Sequence, residues 1–254
     1  IANLLGLDPA LCDTFMRWSA HLVSINPAMP PETTAEVRES VATLKRYVTA
    51  VIAARRVEPK EDLVSELLAA EVDGQALTPD ELMGFMFLLL VAGLETTTHL
   101  LTNAMRVLVR RRDVHDRLRN DPALIPAFVE EVLRFDPPVY ADIRLTTADV
   151  QVGGTPIPAG SLVMVLLGSV NRDERLFEDP DTFNIDRRRQ NGFSFTHGIH
   201  FCLGAALARA EARLALSALC SLPGYFEEQP GEKEWAISAT VRGLLRYPVR
   251  LVAA

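Results

Sequence analysis

Phe195-Thr196-His197-Gly198-Ile199-His200-Phe201-Cys202-Leu203-Gly204 is the most informative stretch of this chain, and Ala205-Ala206-Leu207-Ala208-Arg209 follows it directly. The alanine-rich run predicts a helix, so Cys202 sits just ahead of a helix N-terminus. There the macrodipole and the free amide groups both favour thiolate over thiol. Thiolate is the form that binds iron. Gly198 and Gly204 allow a tight backbone path and the close approach of a flat ligand. A lone cysteine before a helix is more often a structural residue, and what sets this one apart is the spacing of the residues around it.

Upstream, the chain reads as helices as far as Pro137. Thr33 with Glu36 forms a capping box, and Val37, Val41, Leu44, Val48 and Ile52 follow at helical spacing. Residues 59–70 predict a short helix, stopped by the turn at Asp73-Gly74. Thr78, Pro79 and Glu81 open a long helix that reaches about Arg112. At 1.5 Å per residue it spans on the order of 50 Å. Its run Phe85 to Leu94 is half the roughly 20 residues needed to cross a bilayer and reads as a buried helix segment. That run is apolar on nearly all sides, so neighbours are expected all round it. Asp121-Pro122 caps another helix, which ends before Pro137-Pro138.

After Pro137 the texture changes. Ile143 to Val152 alternates like a strand, Gly153-Gly154 turns, and Ser161 to Leu167 is β-rich. Residues 171–191 form a polar irregular segment, Leu203 to Leu219 a helix, and Ile237 to Val252 one or two strands. The expected class is mainly α with small β-sheets, undivided over residues 1–254.

Composition narrows the function. The formal net charge of −7 argues against a nucleic-acid binder, which draws its affinity from basic contacts to phosphate. Three scattered cysteines, Cys12, Cys202 and Cys220, fit neither a disulfide framework nor a paired zinc site. A reducing cytoplasm is the expected compartment, with no membrane anchor. The chain opens at Ile1 with no signal core, and a segment or second chain that completes the fold is expected.

Two further motifs carry chemistry. Ala92-Gly93-Leu94-Glu95-Thr96-Thr97 places glycine and polar residues in mid-helix, a locally unfavourable choice that also fits a plain polar patch. Threonine hydroxyls bonding back to the preceding turn would bend the helix there and open a groove for water or dioxygen. Glu131 and Arg134, three apart, share a helix face. Most such pairs are surface salt bridges worth little.

The cysteine loop resembles, position for position, the haem-binding signature of the cytochrome P450 family, Phe-x-x-Gly-x-His/Arg-x-Cys-x-Gly. Thr196 departs from it where many members have glycine, with an expected effect on loop packing and not on ligation. Ala92 to Thr97 is similar to the family's oxygen-activation motif, and Glu131-x-x-Arg134 to its Glu-x-x-Arg helix. Order and spacing agree along essentially the whole chain. The resemblance implies a cytochrome P450 fold lacking its N-terminal part, with haem b as cofactor and Cys202 as the axial iron ligand. It implies that Phe195, Gly198, His200, Gly204 and Arg144 contact the haem, His200 and Arg144 at its propionates. Thr96 would assist oxygen activation and Glu95 would feed protons through water. Arg187 would join Glu131 and Arg134 as structural support. Leu88, Ala92, Val139, Ala141, Thr240 and Val241 would face the substrate.

The implied activity is a monooxygenase acting on an apolar or mixed-polarity small molecule. Electrons would come from a separate ferredoxin or flavodoxin with its reductase, since no flavin or iron–sulfur motif is present. Arg188 and Arg189 are expected to help dock an acidic donor. Rival readings are a peroxygenase or oxidative coupling enzyme on the same scaffold, or a non-catalytic binding module. Such a module would be expected to lose its cysteine.

Overall fold

The computed structural model describes residues 2–24, 30–188 and 192–253. They form two compact units, Ile1–Glu95 and Thr96–Ala254, with the division falling inside one helix. In the first unit, α1 (Cys12–Ser24), α2 (Pro31–Val57) and α3 (Leu63–Ala69) precede a hairpin of β1 (Glu71–Val72) and β2 (Gln75–Ala76), then the first half of α4 (Pro79–Arg110). Helix α2 starts at Pro31, so Thr33 lies inside the first turn and not at the expected cap. Proline is suited to that place because the first helical amides have no partner anyway. Helix α4 opens as its sequence dictates. The Glu81 amide donates to Thr78 Oγ1 at 3.2 Å and the Thr78 amide to Glu81 Oε2 at 2.8 Å. Leu44, Val48 and Ile52 of α2 close a core with Phe15, Trp18, Val64, Leu82, Met86 and Leu90.

Helix α4 buries a stripe at four-residue spacing. Leu82, Met86 and Leu90 lie in the first unit and Leu100, Ala104 and Leu108 in the second, each at most 2% exposed. The run Phe85 to Leu94 buries Met86 and Leu90 and packs Phe87, Leu89 and Leu94 in part against the same core, while Leu88 is 57% exposed. By length and composition α4 is also long enough to cross a membrane, and 22% of its most apolar window is buried. Its buried His99 and Asn103 suit a protein interior better than lipid, where polar side chains are costly. The glycine and threonines at 93–97 do not interrupt it: α4 stays α-helical throughout.

The second unit continues with α5 (Arg112–Asn120), α6 (Ile125–Phe135), β3 (Asp142–Leu145), β4 (Val150–Val152), β5 (Thr155–Ile157), β6 (Leu162–Val165), α7 (Leu167–Val170), α8 (Ala205–Cys220), β7 (Tyr225–Glu228), β8 (Glu234–Trp235), β9 (Leu244–Arg246) and β10 (Val249–Val252). The strands pair antiparallel in twos: β3 with β6, β4 with β5, β8 with β9 and β7 with β10. The alternating stretch 143–152 is thus two strands with different partners. Between them Thr146 Oγ1 donates to Pro158 O at 2.6 Å and Asp149 Oδ1 accepts from the Ala159 amide at 2.8 Å, which turns the chain. The core joins Leu100, Ala104 and Leu108 of α4 to Leu118, Phe128, Val129, Val132, Ala212, Leu216 and Phe226. Helix α6 lies against α8.

His115 of α5 is fully buried, stacked on Phe226 at 5.5 Å and edge-on to Tyr225 at 5.7 Å. Burial, and then the nearby Arg119 guanidinium, push its pKa below the ordinary 6.5. The unfolded chain takes up a proton here as pH falls through about 6.5, while the folded site takes it up only at lower pH. Stability is therefore kept above that pH and lost below it, by up to about 1.4 kcal/mol per pH unit. Urea unfolding at pH 7.5 and 5.5 should show a smaller drop for His115→Phe than for the wild type. Equal drops would remove His115 from the pH dependence.

Candidate functional site

A densely bonded group in the second unit is built on α6. Burying an ion pair is worthwhile only when every charge is partnered, and here it is. Glu131 and Arg134 have fully buried side chains, with Arg134 Nε and Nη2 donating to the two Glu131 oxygens at 2.8 Å each. Arg187 Nε approaches Glu131 Oε2 at 3.3 Å, and the Asn184 amide donates to Oε1 at 2.8 Å. The remaining guanidinium protons go to backbone carbonyls. Arg134 reaches Asn171 O, Pro180 O and Thr182 O, and Arg187 reaches Glu178 O, Asp179 O and Thr182 O. Two arginines therefore hold the shape of a segment that has no helix or strand of its own from Asn171 to Arg188.

From there the order passes to the cysteine loop through Asn171, which is fully buried. Its Oδ1 accepts from the Phe193 amide at 2.6 Å and its Nδ2 donates to Ser194 Oγ at 2.8 Å. Ser194 Oγ in turn donates to Leu133 O on α6 at 2.5 Å. Two further bonds then fold the loop: Thr196 N to Phe193 O at 2.8 Å and Cys202 N to Phe195 O at 3.0 Å. Gly198 takes φ +70, opening a short 3-10 turn to His200. A Cβ at Gly198 or Gly204 would meet nothing within 4 Å, so that face of the backbone is open.

Cys202 is half-buried and α8 begins three residues later, with no side chain capping its N-terminus. Arg209, one turn into α8, bonds both oxygens of Glu130 at 2.5 and 3.0 Å and lies over the Phe195 ring at 4.4 Å. Its pKa is raised by the Glu130 hydrogen bonds first, and the charge of Cys202 contributes. Phe201 is 55%, Leu203 73% and Ile199 97% exposed. An open glycine face, an exposed apolar rim and a half-buried cysteine sulfur fit a flat apolar group held by a sulfur–metal bond.

Glu95 and Thr96 are consecutive in α4, and both are half-buried. Burial pushes the Glu95 carboxyl above its ordinary 4.5.

The family model described as Cytochrome P450 matches residues 10–246. This chain belongs to the cytochrome P450 family. It is 43% identical over 253 residues to Cytochrome P450 107B1 of Saccharopolyspora erythraea, covering 98% of this chain and 61% of that protein. It is 40% identical over 261 residues to Vitamin D(3) 25-hydroxylase of Pseudonocardia autotrophica, covering 99% and 62%. The solved structure of cytochrome P450 CYP109Q5 from Chondromyces apiculatus superposes with a TM-score of 0.88 at 40% identity, over 100% of this chain and 63% of that one. The chain thus spans a little over three-fifths of the length of these relatives.

A P450 haem requires more than its thiolate loop, and the remaining expected contacts divide. Arg144 on β3 pairs with Asp142 at 2.6 Å and is half-buried. His200 is exposed on the loop. Four of the expected substrate-facing residues come together: Val139 and Val241 form a β-bridge, and the amides of Tyr140 and Ala141 donate to Thr240 O at 2.9 and 3.3 Å. Ala141 is fully buried and Val241 8% exposed, so they back this strip while Val139 and Thr240 offer its surface. Leu88 and Ala92 are exposed on α4 in the first unit. The strip is held to α4 by two buried polar residues that the sequence reading passed over. Asn103 Nδ2 donates to Asp136 O at 3.0 Å and Arg242 O at 3.3 Å. His99 packs so close to Gly243 that a Cβ there would lie 2.2 Å from its ring.

Also missed were Asn171, Ser194 and the Glu130–Arg209 pair. Each acts on a partner distant in the chain, so no local spacing announced it.

Proposed function

We propose that this chain supplies the haem-thiolate part of a monooxygenase that inserts one atom of dioxygen into an apolar or mixed-polarity small molecule. The observation that carries it is Cys202 at an uncapped helix start, in a loop fixed through Asn171 to the buried Glu131–Arg134–Arg187 cluster. Cys202 Sγ would ligate the iron of haem b, Phe195, Gly198 and Gly204 would bed the macrocycle, and Arg144 and His200 would take the propionates. When bound, haem supplies the site for dioxygen and its redox chemistry. This chain's residues then move protons. Glu95, kept protonated to higher pH by burial, is the proton store, and the Thr96 hydroxyl is the relay. Retention of this pair supports dioxygen use over a peroxide-driven reaction. Val139 and Thr240 would meet the substrate, with Ala141 and Val241 supporting them; the family resemblance alone assigns Leu88 and Ala92 a substrate-facing role. One relative is named for hydroxylating vitamin D(3), an acceptor of the proposed kind.

Electrons would come from a ferredoxin or flavodoxin with its reductase, in the cytoplasm, with all residues of this chain serving one catalytic domain. Exposed Arg188 would contribute to donor docking; Arg189 lies outside the described residues. The relay is tested by Thr96→Ala in the haem-loaded protein. Oxygen consumption should continue while the product-to-oxygen ratio falls about tenfold or more and peroxide appears. Glu95→Gln should slow turnover overall. An unchanged product-to-oxygen ratio in Thr96→Ala would take Thr96 out of the mechanism.

A further inference from the structure

Among the described residues, three non-glycine residues have positive φ: Asp73, Asp179 and Thr196. Aspartate tolerates this region because its short side chain bonds locally to the backbone. Threonine does not: its branched Cβ crowds the backbone, and a β-branched residue at positive φ is an outlier. Thr196 has φ +56. It sits between the two bonds that shape the cysteine loop, Thr196 N to Phe193 O at 2.8 Å and Cys202 N to Phe195 O at 3.0 Å. The surroundings over-determine that conformation. Phe193 is tied to Asn171 at 2.6 Å, Ser194 to Leu133 at 2.5 Å, and the Phe195 ring lies beneath the Arg209 guanidinium at 4.4 Å. Strain of this kind persists only where neighbours enforce it, and it clusters at functional sites.

We propose that Thr196 is a positioning residue for Cys202, one that keeps the thiolate loop sprung. Relaxation of Thr196 to negative φ would break the turn to Phe193 and redirect the path from Phe195 to Cys202. The loop therefore has a preferred route out of the ligating geometry that does not require the rest of the unit to unfold. Glycine at 196 has no crowding to relieve, so the strain that drives that route is gone, whereas alanine retains a Cβ and most of the strain. This inference rests on the reading of Cys202 as the haem ligand.

The test uses the haem-loaded protein and its Thr196→Gly and Thr196→Ala variants. Two signals are followed in urea: the red-shifted band of the ferrous–CO complex, which reports the thiolate, and far-UV circular dichroism, which reports the fold. In the wild type the band should be lost at lower urea than the fold. In Thr196→Gly the band should persist to the unfolding transition, and haem transfer to an excess of a haem-scavenging protein should slow about tenfold. Thr196→Ala should behave like the wild type. The proposal is overturned if Thr196→Gly leaves the gap unchanged, or if both midpoints move together, which is the mark of a merely structural strain. It is also overturned if alanine does as well as glycine, or if the wild-type transitions coincide. A wild type that shows no red-shifted band in the absence of urea would instead refute the thiolate reading itself.

Discussion

Arg134→Leu is expected to cost about 3–5 kcal/mol of stability, because it leaves the buried Glu131 carboxyl short of its main partner. Glu131 would lose two hydrogen bonds of 2.8 Å and keep Arg187 at 3.3 Å and the Asn184 amide. The carbonyls of Asn171, Pro180 and Thr182 would lose their Arg134 donors in the same step. Ordinary domains hold about 5–15 kcal/mol in all, so one substitution would consume a large share of the folded state. Arg134→Lys keeps the charge but not the fork that serves three carbonyls and a carboxylate together. It should fall between leucine and the wild type. Urea midpoints of the three proteins check this, and a leucine variant within about 1 kcal/mol of the wild type would show that Arg134 is no keystone.

The parts of the fold that were legible are those where a local rule decides. The Thr78–Glu81 box fixed the start of α4 because both of its bonds are made within four residues. The start of α2 was misplaced because proline at the first helical position outranks a downstream box. Strand β7 escaped notice because its pairing is with β10, more than twenty residues on, and only Phe226 of its four residues is buried. The break between β3 and β4 was hidden for a related reason: Thr146 and Asp149 make it through partners at 158 and 159.

The site divides along the same line. Cys202 and its glycines lie in one short stretch, and Glu131 with Arg134 in one helical turn, so both are readable in order along the chain. Asn171 is not, since its role exists only when Ser194 and Phe193 fold back on it from more than twenty residues away. The strain at Thr196 was visible only as an unusual residue. Its backbone angle gives that residue a physical meaning.

Cys202→Ser should abolish the thiolate signature while leaving the fold in place. The bonds that shape the loop around Cys202 are backbone bonds, from its amide to Phe195 O and from Ala205 N to its carbonyl, and serine retains both. What serine lacks is the sulfur through which a cysteine thiolate ligates haem iron. The decisive measurement is the absorption spectrum of the reduced, CO-saturated protein, wild type against Cys202→Ser, with circular dichroism confirming that both are folded. The wild type should show the strongly red-shifted band of a thiolate-ligated haem, and the serine variant should show none. A red-shifted band that survives in Cys202→Ser would contradict the assignment of Cys202.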